Sequence, residues 1–313
     1  MPTATGRVKF VTAIAIAALT LFSSTRSQAK KLNVITATTD MAALAQEVGG
    51  DHISVESLAK GYQDPHFVEP KPSFLLKLRQ ADVLITVGLQ LEIGWLPPLI
   101  TQSGNARIQV GASGYLDASQ FAEILDIPTG PVTRAMGDVH PLGNPHYWLD
   151  PDNGRRLARG FAQKFGELDP PDTAYFQERF QDFDKRLSAA EQKWDAEMAP
   201  YKGRKLVTYH NSFPNFAKHF HLNVIGYIEP RPGIPPTPSH TIELIGLMKR
   251  ENCKLAIVEP YFDLKTPNSI GAATGAKVVV YLPSVAGEKQ VTNYFELFDY
   301  DIGLITKALQ SAQ

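Results

Sequence analysis

The chain has 313 residues, which is room for about two domains of roughly 100–200 residues each. Its 43% hydrophobic and 20% charged residues describe a globular protein able to bury a core. The formal net charge of −1 and the lack of a long basic stripe in the sequence argue against a nucleic-acid partner.

The first 29 residues have the pattern of a cleaved secretory signal. Arg7 and Lys9 precede an apolar run at 10–22, and a polar stretch then ends in Ser27-Gln28-Ala29. The apolar run is shorter than the about 20 residues that span a membrane, and an uncleaved anchor is the alternative. We expect cleavage after Ala29 and a freely soluble periplasmic protein, because no cysteine near that point could carry a lipid.

Strands and helices alternate in the first part of the chain, which predicts an α/β lobe with a parallel sheet. Residues 111–142 are rich in glycine, proline and small polar residues. We expect them to form a long connecting segment, called the excursion below, with little regular structure. The predicted strands are 32–37, 53–58, 81–87 and 108–110, and the predicted helices are 41–48, 72–80 and 95–100.

A long helix is predicted between two such lobes. Residues 173–198 contain neither proline nor glycine, and their aromatic residues repeat at helical spacing, which indicates packing and not a cofactor site. At a rise of 1.5 Å per residue the helix would be roughly 39 Å long. A further helix at 152–168 precedes it.

The second lobe repeats the alternation, and the proline-dense segment 229–240 within it is expected to be a stiff loop. Cys253, the only cysteine in the sequence, is expected to be a small buried core residue, with a metal thiolate as the alternative. The predicted strands are 205–209, 223–228, 255–258 and 278–282, and the predicted helices are 213–219, 241–250, 266–274 and 294–309.

We therefore predict an α/β protein with two lobes, each a parallel sheet flanked by helices, joined by one long helix, with a metal site in the cleft between the lobes. The predicted divisions are a signal peptide at 1–29, an N-terminal lobe at 30–170, a linking helix at 171–201 and a C-terminal lobe at 202–313.

Three histidines stand at loop or strand ends, where a side chain can point into a cleft. His210 directly follows a predicted strand, His66 follows the second strand after a loop, and His146 follows the excursion. In parallel sheets ligands bind beyond the carboxyl ends of the strands, so the three imidazoles could converge on a cation. Imidazole ligands suit zinc, copper, nickel and iron, whereas manganese sites usually carry more carboxylate. With three histidines evident in the sequence, zinc is the first choice. By itself, His66 is as compatible with packing as with a ligand role.

Several short segments together resemble the substrate-binding proteins of bacterial zinc and manganese ABC importers, in the cluster with a long helix between two lobes. The resemblance runs from about residue 32 to the end of the chain. The matching segments, in order, are Asp64-Pro65-His66, Glu69-Pro70-Lys71-Pro72-Ser73, Asn144-Pro145-His146-Tyr147-Trp148-Leu149-Asp150-Pro151, His210-Asn211-Ser212-Phe213, Ile257-Val258-Glu259-Pro260 and Thr274-Gly275-Ala276-Lys277-Val278.

That resemblance implies a protein that captures a divalent metal in the periplasm and delivers it to an ABC permease in the inner membrane. It implies a monomer that is not an enzyme, with its first three metal ligands at His66, His146 and His210. Zn²⁺ is the expected metal, with Mn²⁺ less favoured.

The sequence departs from the family pattern around the fourth ligand. The family's aspartate is missing from the segment 280–284, so water, Asp64 or another nearby acid would complete the site. The chain also lacks a histidine-rich loop before the second ligand, and His140 alone ends the excursion, either as a transient ligand or as a solvated loop residue. Glu259 is expected to form hydrogen bonds at a strand end and Asp150 to cap a helix.

Two other functions stay open from sequence. Three histidines with one open position also describe catalytic zinc in a secreted hydrolase. Against an enzyme, the sequence has no His-Glu-x-x-His helix and no general base evident from spacing. A metal-dependent adhesin with the same fold is the third possibility. The remaining histidines are assigned no chemistry: His52, His219, His221 and His240.

Overall fold

The computed structural model describes residues 31–311, so the predicted signal at 1–29 lies outside the described residues. Within 31–311 the chain forms two four-stranded sheets whose paired strands are all parallel. Over that same range, no helix combines the length and the apolar character needed to cross a membrane.

The first sheet has the order β2-β1-β3-β4. The central strand β3 is buried at all four positions, as expected for a parallel strand covered on both faces of the sheet. The strands are β1 (Leu32–Thr36), β2 (Ile53–Ser57), β3 (Val83–Thr86) and β4 (Tyr115–Asp117), and the helices are α1 (Thr39–Gly49), α2 (Pro72–Gln80) and α3 (Leu96–Ser103).

The prediction of a strand at 108–110 is wrong. Ala106–Ile108 is a short 3-10 helix, and the fourth strand is Tyr115–Asp117, inside the segment expected to hold little regular structure. The Asn105 side chain accepts a hydrogen bond from a backbone N–H two residues on, and this interaction starts the helical turn. At Gly114 a Cβ atom would lie 2.3 Å from a carbonyl oxygen just before β3, so glycine allows the close approach that leads into β4.

Two long helices follow the first sheet, α4 (Pro151–Leu168) and α5 (Thr173–Met198). Asp150 caps α4 as predicted, because its side chain accepts a hydrogen bond from the Asp152 backbone N–H at 2.9 Å. The 26 residues of α5 match the predicted long helix. It packs against α1 and α4, and against the C-terminal helix α9 (Tyr294–Gln310).

The second sheet repeats the topology of the first, with the order β6-β5-β7-β8. Its strands are β5 (Lys205–Thr208), β6 (Asn223–Tyr227), β7 (Leu255–Val258) and β8 (Lys277–Val280), and the helices before α9 are α6 (Pro214–His219), α7 (Pro238–Arg250) and α8 (Lys265–Thr274).

The stiff loop predicted at 229–240 ends earlier than expected, because α7 begins at Pro238. Proline suits the first turn of a helix, where a missing N–H costs nothing. Thr237 precedes it as the N-cap, and its hydroxyl accepts a hydrogen bond from the His240 N–H at 3.3 Å.

One hydrophobic cluster joins the two sheets through the long helices. It includes Val34 of β1, Phe183 of α5, Ile257 of β7 and Ile302 of α9, all fully or almost fully buried. Separate clusters cover the other face of each sheet, and Cys253 lies in the second of these, as predicted. The predicted fold class is therefore confirmed, whereas the lobe boundaries at 170 and 202 stay a prediction, since from Lys31 onward the chain forms one compact unit.

Candidate metal centre

The structure brings the three predicted histidines together. The ring centroids of His66 and His146 are 5.1 Å apart, those of His66 and His210 are 5.4 Å apart, and those of His146 and His210 are 5.2 Å apart. One ring nitrogen from each lies within 4.8 Å of the others. His146 and His210 are buried and His66 is partly buried, so the cluster is largely shielded from solvent.

His66 is oriented by the aspartate two residues before it. Asp64 Oδ1 accepts hydrogen bonds from the His66 backbone N–H at 2.9 Å and from ring Nδ1 at 2.8 Å. The intervening Pro65 carbonyl accepts a hydrogen bond from the Trp95 indole at 2.9 Å, which fixes the loop after β2. Asp64 thus positions His66, and it is not among the residues clustered with the three histidines.

His146 is oriented in the same way by an amide. Asn144 Oδ1 accepts hydrogen bonds from the His146 backbone N–H and from ring Nδ1, both at 2.9 Å. The Asn144 amide nitrogen then donates to the Asn211 carbonyl at 2.7 Å. Asn144 therefore connects the second histidine to the loop that carries His210.

His210 is oriented by a buried glutamate that lies just beyond the end of the neighbouring strand β6. Its Nδ1 forms a hydrogen bond with Glu229 Oε1, and both side chains are more than nine-tenths buried. Burial lowers the pKa of His210, but the hydrogen bond and charge of Glu229 outweigh burial and raise it above the usual 6.5. The other Glu229 oxygen accepts a hydrogen bond from the Gly233 N–H at 3.2 Å.

These contacts assign the same tautomer to all three neutral rings. Asp64, Asn144 and Glu229 each present an oxygen to Nδ1, so Nδ1 carries the proton and Nε2 keeps its lone pair. His146 Nε2 is buried without a hydrogen-bond partner. Burial, followed by repulsion from the neighbouring histidine rings, holds the pKa of His146 well below 6.5. An orphaned buried lone pair of this kind is unfavourable unless a ligand satisfies it.

The nearby acids stay out of the cluster. Burial raises the pKa of the Asp64 carboxyl, but its hydrogen bond and charge interaction with His66 outweigh burial and lower it. Glu259 Oε1 accepts a hydrogen bond from the Ser212 hydroxyl, which agrees with the hydrogen-bonding role predicted for this residue. Burial also raises the pKa of Glu259 to about 7.

The segment 280–284, where the family pattern would supply an aspartate, is tied to other parts of the molecule. Leu282 N–H donates to the buried Asp301 at 2.8 Å, and Val285 N–H donates to Asp40 Oδ1 at 3.0 Å. Asp40 belongs to α1, so this loop is anchored on the first helix of the chain.

His140 lies beside the cluster. Its Nε2 is 3.3 Å from His66 Nε2, and its Nδ1 is 3.0 Å from the Leu89 carbonyl oxygen. Burial, and then the neighbouring His66, lower the pKa of His140 to about 4. The loop histidine is therefore not a freely solvated group.

Asp150, Asp152 and His219 form a second group of potential ligands within the described chain. Asp150 Oδ1 already caps α4 and accepts a hydrogen bond from His219 Nδ1 at 3.0 Å. Because its oxygen and nitrogen atoms are used in these contacts, this group has a structural role.

Sequence reasoning missed the residues that orient the rings. Asn144 and Asp64 could have been found from the shared spacing Asx-Pro-His, in which a short side chain accepts the N–H two residues on. Glu229 is 19 residues from His210 and gives no such local signal.

Comparison with known proteins shows which family the chain is similar to. The profile of the family described as zinc-uptake complex component A, periplasmic, matches residues 34–308. Iron-binding protein YfeA of Yersinia pestis is 27% identical over 297 residues, which cover 89% of this chain and 86% of the relative. The manganese ABC transporter substrate-binding lipoprotein PsaA of Streptococcus anginosus is 23% identical over 310 residues, covering 96% of this chain and 97% of the relative.

A solved structure extends the likeness to the fold. A crystal structure of ZnuA aligns with a TM-score of 0.74 at 25% identity, over 89% of this chain and 99% of the other. The profile match spans most of the chain and includes the long helix, the second sheet and all but the first two residues of the first sheet. The chain therefore belongs to the family of zinc-uptake complex component A, the periplasmic metal-binding proteins of ABC importers.

Proposed function

We propose that this chain captures Zn²⁺ with His66, His146 and His210 and delivers it to an ABC permease in the inner membrane. The observation that supports the proposal is the convergence of three Nε2 lone pairs, one of them buried without a partner. Each ring is held by an acceptor at Nδ1, the arrangement that fixes orientation in metal-bound histidines.

The charges around the rings suit a divalent cation. The three ligands are neutral, while Asp64 and Glu229 place carboxylates directly behind two of them. In a largely buried site, two such carboxylates offset the charge of a divalent ion without coordinating it.

Zinc fits this set of donors better than manganese does. Nitrogen donors and four-fold coordination are typical of zinc, whereas manganese sites are usually rich in carboxylate and water oxygens. The named relatives include iron and manganese binders, so the assignment to zinc rests on the donor set of this chain.

The proposed setting is the periplasm, reached through a signal peptide cleaved after Ala29. The protein would act there as a monomeric carrier with no catalytic step. The lack of a catalytic step is supported by Asp64 and Glu229, because both acids are held in hydrogen bonds to histidine rings and are not free to act as general bases.

The test is metal content and affinity of the full chain expressed in a bacterial host and purified from the periplasmic extract. We expect one tightly bound zinc per chain in competitive titration, with manganese far weaker, and a mass that corresponds to residues 30–313. Tight manganese binding that matches zinc, or no tight binding of either metal, would overturn the proposal.

Glu229→Gln should weaken zinc binding by about 10- to 100-fold near neutral pH, the range typical for a residue that supports a metal ligand. The glutamine can still accept a hydrogen bond from His210 Nδ1, but the carboxylate charge is lost.

The same substitution should also move the pH at which zinc binding is lost, and it should move that pH downward. Glu229 raises the pKa of His210, so zinc binding to the wild type weakens as pH falls through a value above 6.5. Without the carboxylate, the weakening should begin at lower pH. Titration across pH checks both effects, with Glu288→Gln at an exposed position as the control. Equal affinity in the Glu229 and Glu288 variants would show that the Glu229 charge does not act on the bound ion.

A further inference from the structure

We propose that His140 is the fourth zinc ligand, carried by a lid at 131–142 that latches onto the proline-rich loop after β6. The inference rests on the proposed three-histidine site and adds the ligand that completes it and the segment that closes it.

The contact between His140 and His66 brings two lone pairs together, an arrangement that a bound cation would stabilise. The Leu89 carbonyl can only accept a hydrogen bond, so the neutral His140 ring carries its proton on Nδ1. Asp64 imposes the same tautomer on His66. Two bare Nε2 atoms therefore face each other at 3.3 Å, where neither can donate to the other.

That separation fits zinc. Nitrogens bound to one tetrahedral zinc at about 2.0–2.1 Å lie about 3.3 Å apart along the edge of the tetrahedron. The His140 and His66 Nε2 atoms have this spacing. His140 is not among the described residues whose ligand atoms all lie within 4.8 Å of one another, so its ring must move toward His146 and His210 when zinc binds. His140 lines a cavity beside the cluster together with Asp138 and Asn211.

The turn at residues 88–90, whose Leu89 carbonyl contacts His140, has an unusual backbone. Gly88, Leu89 and Gln90 all have positive φ angles of 83°, 52° and 67°, which is an unfavourable backbone for the two residues that are not glycine. The buried Glu92 carboxylate accepts hydrogen bonds from the Val87 and Gly88 N–H groups and holds this turn. Strained turns that are held in this way occur preferentially at functional sites.

A latch connects the lid to the second sheet's side of the cleft. Asp138 N–H donates to the Pro232 carbonyl at 2.9 Å, and the Arg231 guanidinium donates to the Ala135 carbonyl. At Gly137, whose φ is +79°, a Cβ atom would lie 2.3 Å from the Pro232 oxygen, so only glycine allows the two backbones to approach so closely.

The lid also explains how the chain can lack an aspartate in the segment 280–284. That loop is held by hydrogen bonds to Asp40 and Asp301. A fourth ligand that arrives from the lid closes the site and excludes water in one movement, and the lid must lift before metal can leave.

The experiment compares wild type, His140→Ala and Arg231→Ala, with His240→Ala as the control because His240 bonds to the Tyr227 carbonyl outside the site. Histidine side chains labelled with ¹⁵N are observed by long-range ¹H–¹⁵N correlation in the zinc-loaded protein, and the number of metal-bound Nε2 signals is counted. Zinc dissociation is then followed with a chelator in excess.

We expect four metal-bound signals in the wild type and three in His140→Ala. The zinc of that variant should dissociate at least about 100-fold faster, because loss of a ligand should exceed the 10- to 100-fold effect of losing a group that only supports one. Arg231→Ala should keep four signals yet release zinc faster, because only the latch is lost. His240→Ala should match the wild type in both measurements.

Three signals in zinc-loaded wild type, with unchanged dissociation in His140→Ala, would overturn the fourth-ligand assignment and leave the three-histidine site intact. Unchanged dissociation in Arg231→Ala would overturn the latch. Failure of the wild type to bind zinc at all would instead contradict the proposed function.

Discussion

Replacing His146 with alanine should weaken zinc binding by more than roughly 100-fold, beyond the range seen for residues that only support a ligand. His146 is 3% exposed, and its Nε2 is buried and has no hydrogen-bond partner. In the variant, two of the three clustered histidines remain, and water must fill the space that the imidazole ring of His146 occupied.

Two measurements check this expectation. Competitive titration gives the affinity, and thermal unfolding should show that the zinc-dependent rise in Tm of the wild type is lost, because a ligand stabilises only the state that binds it. His219→Ala is the matched control, since His219 is 12% exposed and belongs to the other group of potential ligands. If His219→Ala loses the tight zinc and His146→Ala keeps it, the metal site has been assigned to the wrong cluster.

The two sheets were predictable from sequence because most of their strands are short apolar runs between turn signals. β7, for example, is buried at all four positions and was predicted with its observed ends. The strand β4 could not be found in this way. It has three residues with only the central Leu116 buried, so its place depends on pairing with β3 and not on its own composition.

The histidine positions were predictable because side chains beyond strand ends meet at one edge of a parallel sheet. The partner of His210 shows where that reasoning stops. His210 and Glu229 each follow the last residue of a strand, Thr208 of β5 and Tyr227 of β6, at the same distance. They meet because β5 and β6 are neighbours in the sheet. The local sequence does not indicate the strand order, so this contact could not be predicted.

His140 depends even more on tertiary structure. No helix or strand presents it, and its position comes from the contact with the Leu89 carbonyl on one side and the attachment of its segment to Pro232 on the other. Both partners are more than 45 residues away along the chain, so the sequence alone indicated only a histidine near the end of a loop.

Trp194→Ala should lower the free energy of unfolding of the metal-free protein by about 3–5 kcal/mol, the usual cost of removing a large buried aromatic side chain. Trp194 lies near the C-terminal end of α5 and is fully buried. Its ring stacks on Phe298 of α9 with centroids 4.9 Å apart, and its indole nitrogen donates to Asp299 at 2.7 Å.

The variant therefore tests how firmly the long helix is joined to α9. At its other end α5 is attached to α1, where Arg179 Nε donates to the Glu47 carbonyl at 2.7 Å, so the helix ties the first sheet's helices to the C-terminal one.

Lys193→Ala is the matched control, because Lys193 also contacts Asp299, at 2.9 Å, but from the surface. Exposed ion pairs contribute at most about 1 kcal/mol, and the control should fall within that limit. Urea unfolding measures the free energy of unfolding of both variants. If Trp194→Ala lowers it no more than the control does, this contact does not hold α5 to α9.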